Sequence, residues 1–306
     1  MLAMVQSISK QKYAPDILQQ FGLVIVDEAH AMAAPFFQKC LVQLPAAYIL
    51  GLTATPDRGD GLGYALPWLM GPIAFRACRD QEFEVSVKCI RYLSETLQTI
   101  KDRKGEPCIP KMINALTAHG ERTQFLLSLL HYFVFARDCG RQVLMLTDRR
   151  QHVIDLHQQI AERYTSDVGI IMGGQRPLQR TQALEKRIIV STYHFFAEGQ
   201  DVPRLDTLFL CTPRATIEQA VGRILRPYLN KQPPLIVDIW DGHSVFPYMM
   251  RKRCVFYKRM QYTIDFIYRF SQTAGDGVEG DGVEGDGVEG DGVEGDGVEG
   301  DGVEDC

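Results

Sequence analysis

Seven short apolar runs stand out along the first 240 residues: "LVIV" (23–26), "AYILGL" (47–52), "VLML" (143–146), "VGIIM" (168–172), "RIIV" (187–190), "TLFL" (207–210) and "LIVDIW" (235–240). Each is continuous rather than alternating, and each ends in small or polar residues. Continuous apolar strands are expected in a parallel sheet covered on both faces. Segments with helical periodicity lie between them, such as "QHVIDLHQQIAERY" (151–164) and "TIEQAVGRIL" (216–225). Strand–helix alternation of this kind predicts a doubly wound α/β architecture. "FEVSVKCIRY" (83–92) reads as an edge strand of the second sheet. In "DRKGEPCIPKMINA" (102–115), Gly105, Pro107 and Pro110 disfavour regular structure.

The pattern divides the chain into residues 1–80, residues 81–272 and a tail, 273–306. From Gly275 the tail repeats GDGVE six times, ending in Asp305-Cys306. With no aromatic residue and two acids in every five, it cannot bury enough surface to offset the entropy of ordering, so disorder is expected. A calcium-binding reading is poor, because a five-residue Asp-Gly spacing fits neither an EF-hand loop nor a nonapeptide β-roll.

The tail also changes the meaning of the net charge. The chain carries 33 Lys and Arg against 38 Asp and Glu, a formal −5. Thirteen of the acids lie beyond residue 274, which leaves 25 against 33 bases, or +8 for the body. A basic body is compatible with a polyanionic partner without establishing one. The eight cysteines are scattered with no Cys-x-x-Cys pair. That argues against a zinc site or disulfide framework and for a reducing intracellular compartment, leaving cytoplasm, nucleus and virion open. No apolar run approaches the ~20 residues that span a bilayer, and the N-terminus lacks the pattern of a secretory signal.

Ligands of open α/β sheets bind beyond the carboxyl ends of the strands, and the chemically informative residues fall there. Asp27 and Glu28 follow "LVIV"; Thr53-Ala54-Thr55-Pro56 follow "AYILGL"; Gly199 and Asp201 come shortly after "RIIVST"; Gln219, Gly222, Arg223 and Arg226 follow "TLFLCTP". Taken singly, each has an ordinary explanation. The acid pair can cap a helix, the threonines can serve a turn before Pro56, and Arg223 and Arg226, three apart on one helical face, can make surface ion pairs. "DRR" (148–150) can cap the following helix, and "RKRCVFYKR" (251–259) is either a solvated helix face or a phosphate-tracking patch.

The ordered set is more specific. "LVIVDEAH", "LGLTATP", "VSTYHFFAEGQDVPRLDTLFLCTP" and "IEQAVGRILRP" resemble motifs II, III, V and VI of superfamily 2 helicases, and "QVLMLTDRR" resembles motif IV. "LTATPDRGDGL" and "PLIVDIWDGHSVF" are similar to the xeroderma-pigmentosum-B-like branch, which includes transcript-release helicases of large DNA viruses. The resemblance covers about residues 2–265. It implies two RecA-like lobes, the first truncated at its N-terminus, with ATP and Mg²⁺ as cofactors and DNA or RNA as partner. It further implies that Asp27 anchors Mg²⁺, Glu28 orients the attacking water, and His30 links the nucleotide site to the second lobe. Thr53 and Thr55 would couple hydrolysis to strand handling. Gly199 and Asp201 would touch nucleotide and nucleic-acid backbone. Arg223 and Arg226 would act as arginine fingers in a motif completed by Gln219 and Gly222. Arg149, Arg150 and Thr192 would contact the nucleic-acid strand.

A phosphate loop of the Walker type needs glycines and a Lys on the β- and γ-oxygens, yet the dipeptide Gly-Lys occurs nowhere among the 306 residues. "MLAMVQSIS" looks like the stretch between motifs Ia and II, so the chain is expected to begin partway through the first lobe, with an apolar strand left uncovered. Two readings follow: a helicase whose phosphate-gripping half belongs to another stretch of polypeptide, or a non-hydrolysing nucleic-acid-binding or regulatory module derived from one.

Overall fold

The computed structural model describes residues 1–53, 62–76, 84–136, 140–197 and 201–270. Thr55, Gly199 and the whole GDGVE tail, with the disorder expected of it, lie outside the described residues.

The N-terminal strands β1 (Leu23–Val26) and β2 (Tyr48–Gly51) form a two-stranded parallel sheet, with Leu23 opposite Tyr48 and Val26 opposite Gly51. Helices α1 (Val5–Ser9), α2 (Pro15–Leu18), α3 (Pro35–Val42) and α4 (Ala65–Met70) accompany them. One sheet face is covered: Val26 is buried with Ile8, Leu18, Met32 and Cys40, and Val24 and Ile49 pack against that cluster. The opposite face is bare. Leu23, Ile25, Tyr48 and Leu50 alternate onto it and are 54%, 57%, 72% and 45% exposed. The uncovered apolar strand expected from the sequence is therefore present, in a parallel arrangement that ordinarily buries both sides.

Seven further strands build one parallel sheet: β3 (Ser86–Tyr92), β4 (Val143–Thr147), β5 (Val168–Ile171), β6 (Ile188–Thr192), β7 (Thr207–Leu210), β8 (Leu235–Asp241) and β9 (Thr263–Ile267), in the order β5-β6-β4-β7-β8-β3-β9. On one face Leu144, Leu146, Ile189, Leu208 and Ile236 share a core with residues of α8 (Pro177–Leu184), α9 (Tyr193–Ala197), α10 (Glu218–Ile224) and α11 (Phe246–Arg259). On the other, Val143, Met145, Val190, Phe209 and Val237 pack with α6 (Gly120–Leu130) and α7 (Arg150–Arg163). Helix α5 (Ile109–Ala118) forms a smaller cluster with Phe246 at the start of α11.

Two expectations need correction. Residues 86–92 are not the edge of their sheet, because β9 pairs with β3 on the side away from β8. The stretch 102–115 is not irregular throughout, since Pro110 sits in the first turn of α5. A proline is tolerated there because its missing N–H has no intrahelical partner anyway. What remains irregular is a turn around Gly105 (φ +85°), closed by a bridge between Lys101 and Pro107.

The polar residue inside "LIVDIW" is paid for by α11. Asp238 is fully buried in β8, where its Oδ2 accepts hydrogen bonds from Arg253 Nε and Tyr257 Oη, both at 2.8 Å. Three residues further along β8, buried Asp241 takes a bidentate pair from Arg122 of α6 at 2.7 and 2.8 Å, and Arg122 Nη1 also donates to the Cys211 carbonyl. These two pairs, one per face, clamp α11 and α6 to the same strand.

Candidate nucleotide and nucleic-acid site

The acidic pair stands where the strand-end rule puts it, just past β1. Both side chains are exposed, and Asp27 Oδ1 accepts a 2.9 Å hydrogen bond from the Glu28 amide. Glu28 adopts a left-handed backbone (φ 49°, ψ 47°), uncommon for a residue with a side chain. The conformation ends the strand abruptly and starts the 3₁₀ turn Ala29–Ala33. Backbone bonds from Leu52 to the Val26 carbonyl and from Ala29 to the Leu52 carbonyl tie this turn to the end of β2. Thr53 is thereby brought beside His30, with Thr53 Oγ1 and His30 Nδ1 3.1 Å apart. The same Nδ1 lies 3.3 Å from Glu28 Oε2. Glu28, His30 and Thr53, separated in sequence, thus form one contiguous polar chain.

Arg223 of α10 is half-buried. Burial lowers its pKa, and the carboxylate of Glu28 acts in the opposite sense. The two are separated by 195 residues in the chain. Arg226 does not share a helical face with Arg223 as its spacing suggested, because α10 ends at Ile224 and Arg226 lies beyond it, where it forms an ion pair with Asp201. Lys231 Nζ secures the backbone of this segment by donating to the Arg226 and Pro203 carbonyls at 2.7 and 2.9 Å. Burial pushes the Lys231 pKa down to about 8, against the pull of Asp206 and helped by Arg226. Gly222 leaves open space beside Arg223, for nothing lies within 4 Å of where its Cβ would be. Gln219 is half-buried on the same helix.

The residues expected to meet nucleic acid sit along the carboxyl edge of the large sheet, each engaged in a hydrogen bond with the protein itself. Arg149 donates to Asn114 Oδ1 and to the Pro110 carbonyl of α5, the latter at 2.9 Å. Arg150 donates to the Gly173 carbonyl at 3.1 Å. Thr192 Oγ1 accepts from the Phe195 amide at 3.4 Å as α9 begins. The sequence reading passed over their neighbours. Asp148 accepts from Thr212 Oγ1 at 3.0 Å and lies 3.4 Å from Arg214 Nη1, while the Arg214 guanidinium covers the Tyr193 ring at 5.0 Å. The available signal was positional: Asp148 and Tyr193 directly follow β4 and β6, and Thr212 comes two residues after β7.

"RKRCVFYKR" resolves into two populations. Arg251, Lys252, Lys258 and Arg259 are exposed, whereas Arg253 is the buried partner of Asp238 and belongs to neither alternative weighed for the stretch. Among the described residues no cluster of three or more His, Cys, Asp or Glu could hold a metal ion. A resident metal cage is thus unsupported there. Mg²⁺ that arrives on phosphates needs only one or two carboxylates from the protein, and the second oxygen of Asp27 fits that requirement. No helix among the described residues is long and apolar enough to cross a membrane.

Comparison with known proteins agrees with this geometry. A family model described as "Type III restriction enzyme, res subunit" matches residues 1–58. The chain is 30% identical over 275 residues to "Putative ATP-dependent RNA helicase L396" of Acanthamoeba polyphaga mimivirus, covering 87% of this chain and 52% of that protein. It is 24% identical over 278 residues to "Putative ATP-dependent RNA helicase QP509L" of African swine fever virus (strain Badajoz 1971 Vero-adapted), covering 83% and 54%. The chain spans about half the length of these relatives. Among solved structures, S. cerevisiae Dbp5 bound to RNA and ADP BeF3 superposes with a TM-score of 0.54 at 12% identity, covering 86% of this chain and 63% of that one. At that identity the likeness shows the fold, which is RecA-like.

Proposed function

We propose that the chain is a superfamily 2 helicase-type protein, similar to proteins named as ATP-dependent RNA helicases in two viruses, and that it supplies the hydrolytic and coupling residues of a nucleic-acid-dependent ATPase. The phosphate-gripping loop comes from a further stretch of polypeptide. The observation that carries the reading is the contact of Glu28 and Thr53 with His30, which joins the ends of β1 and β2 into one polar site, with the Glu28 carboxylate acting electrostatically on Arg223.

The contacts support a role for each residue. Asp27 has one carboxylate oxygen engaged by the Glu28 amide, and the other would hold Mg²⁺, which would supply charge neutralisation to a bound triphosphate. Glu28 orients the attacking water and takes its proton. Its left-handed backbone directs the carboxylate off the strand end, and His30 steadies it at 3.3 Å. Through the 3.1 Å contact to Thr53, a change at Glu28 is felt at the end of β2. Thr55 lies two residues on, and Gly199 two before Asp201, so both adjoin this machinery in sequence. Arg223 meets the charge that develops on the transferred phosphoryl group. Asp201 holds Arg226, beyond the end of α10, until phosphate oxygens compete for it. Arg149, Arg150 and Thr192 line the edge along which a DNA or RNA strand runs. The bare apolar face of Leu23, Ile25, Tyr48 and Leu50 supports the reading that more polypeptide covers this sheet.

The alternative, a non-hydrolysing nucleic-acid-binding module, is favoured by the missing Gly-Lys dipeptide. The test is ATP turnover by the purified chain, with and without single-stranded RNA, beside Glu28→Gln. Turnover by the chain alone should match the Glu28→Gln control. It should become RNA-stimulated and Glu28-dependent once a polypeptide bearing a helicase phosphate loop is joined to the N-terminus. A fusion that binds ATP and RNA but gains no Glu28-dependent turnover would establish the binding-module reading instead.

A further inference from the structure

We propose that the carboxyl ends of β8, β3 and β9 carry a base-stacking platform for single-stranded nucleic acid, built from Trp240, Arg91, Tyr268 and Phe266. Trp240 lies opposite Arg91 in the register of β8 with β3. Cys89 lies opposite Phe266 in the register of β3 with β9, so the next residues on that face, Arg91 and Tyr268, are neighbours. Three adjacent strands thus each contribute one side chain to a single row. The ring centroids of Trp240 and Tyr268 are 6.0 Å apart, and Phe266 stacks with Tyr268 at 6.5 Å.

This face is covered only in part. α11 reaches Asp238, which accepts hydrogen bonds from Arg253 and Tyr257. Two residues further along β8 the cover is incomplete: Trp240 is half-buried, Phe266 is exposed and Tyr268 is 54% exposed.

The chemistry of the row selects its occupant. The Arg91 guanidinium lies over the Trp240 ring, 5.3 Å from the centroid. Among the described residues no acid pairs with it, and neither Arg91 Nε nor Trp240 Nε1 has a hydrogen-bond partner, although buried donors in folded proteins are nearly always met. The acids at the same strand ends are engaged on the opposite face, Asp241 by Arg122 and Asp265 by Lys88. The row therefore joins aromatic ring surface to an unneutralised cation. Stacking occupies the face of a guanidinium and leaves its N–H groups to phosphate oxygens, while bases stack on exposed rings with little regard to sequence. An apolar partner would cover the rings and leave the charge unmet.

The position agrees with that occupant. Arg149 and Arg150 directly follow β4, and only β7 stands between β4 and β8. Two strand spacings of about 4.8 Å each lead from β4 to the strand that carries Trp240. The inference rests on the reading that nucleic acid runs along this edge, and it extends the path to β9.

Binding of fluorescein-labelled oligo(U) and oligo(dT) to the full chain is followed by anisotropy over a range of salt concentrations. Tyr268→Ala should weaken binding of both about tenfold without changing the salt dependence, and Tyr268→Phe should restore it. Arg91→Gln should lower the slope of log affinity against log salt by about 0.7, the loss of one phosphate contact to a single strand. In Trp68→Phe, which leaves Trp240 as the only tryptophan, either oligonucleotide should quench the emission. If Arg91→Gln fails to fold, the two Tyr268 variants decide alone. The double variant Arg149→Ala with Arg150→Ala separates this inference from the one beneath it. Should that variant lose binding while Tyr268→Ala and Arg91→Gln keep wild-type affinity, the edge path stands and the platform is refuted. Should the wild type bind neither oligonucleotide, both are refuted. A changed oligomeric state of Tyr268→Ala in sedimentation, at unaltered oligonucleotide affinity, would assign the row to a second copy of the chain and overturn the proposal.

Discussion

Replacing Asp238 by Asn tests how the large sheet holds its covering helix. The substitution keeps side-chain volume and removes one charge at a site where neither partner meets solvent: Asp238 is 0% exposed and Arg253 2%. Burial works against the charge on Arg253, and the Asp238 carboxylate more than offsets it, so the guanidinium stays charged. In the variant that charge has no anion opposite it. Breaking a buried pair by removing one member costs about 3–5 kcal/mol. A second loss accompanies it, because Asp238 Oδ1 has no hydrogen-bond partner and an Asn amide placed there would be an unmet donor. For a unit of this size, about 2–4 °C is lost per kcal/mol, so a fall on the order of 10 °C is expected. Trp240 lies two residues along β8 and provides a local fluorescence probe, followed in thermal and urea unfolding. The double variant Asp238→Leu with Arg253→Met removes both charges and should regain most of the loss, as apolar replacement of whole buried pairs usually does. A single variant within about 1 kcal/mol of the wild type would show that the pair does not hold α11, and would refute the reasoning.

Three further outcomes can be checked. His152 is depressed to about 3 by burial and then by Arg122, against an ordinary 6.5. Protons therefore bind the unfolded chain preferentially as pH falls from 6.5 toward 3, and stability drops. From neutral pH to about pH 5 this one group should account for roughly 2 kcal/mol, so urea titrations of His152→Gln should show that much less pH dependence. Tyr48→Ser with Leu50→Ser, on the bare face, should reduce concentration-dependent light scattering while leaving the unfolding midpoint within a few degrees; undiminished scattering would show that this face is not the adhesive one. Deleting residues 275–306 removes thirteen acids and no base, so RNA affinity measured by fluorescence anisotropy should rise, most at low salt. Equal affinity at all salt concentrations would exclude competition between tail and phosphates.

The strands and the order of the candidate residues could be read directly, for local reasons. A strand buried on both faces must be apolar at every position, so "VLML", "TLFL" and "LIVDIW" declare themselves, and a polar residue just after one is near the binding edge of its sheet. Reading failed where the deciding partner is remote. "TIDFI" (263–267) has no long apolar run, yet it becomes β9 because β3 offers a free edge, and β3 is thereby no longer at the border. Pro110 read as a breaker until its place in the first turn of α5 was known. Arg253 is one base among five in its stretch, and only Asp238, fifteen residues earlier in a neighbouring strand, removes it from the surface.

From the amino-acid order alone came the parallel α/β class, the acidic pair, the two arginines and the lack of a Gly-Lys phosphate grip, because each depends on residues close together in the chain. Tertiary structure decided what the side chains face: His30 against Thr53, Arg149 turned to α5, and Arg253 against Asp238. Such pairings follow from which strands lie side by side and which helices cross them. That choice is made by burial summed over the whole sheet, and no short window of sequence contains it.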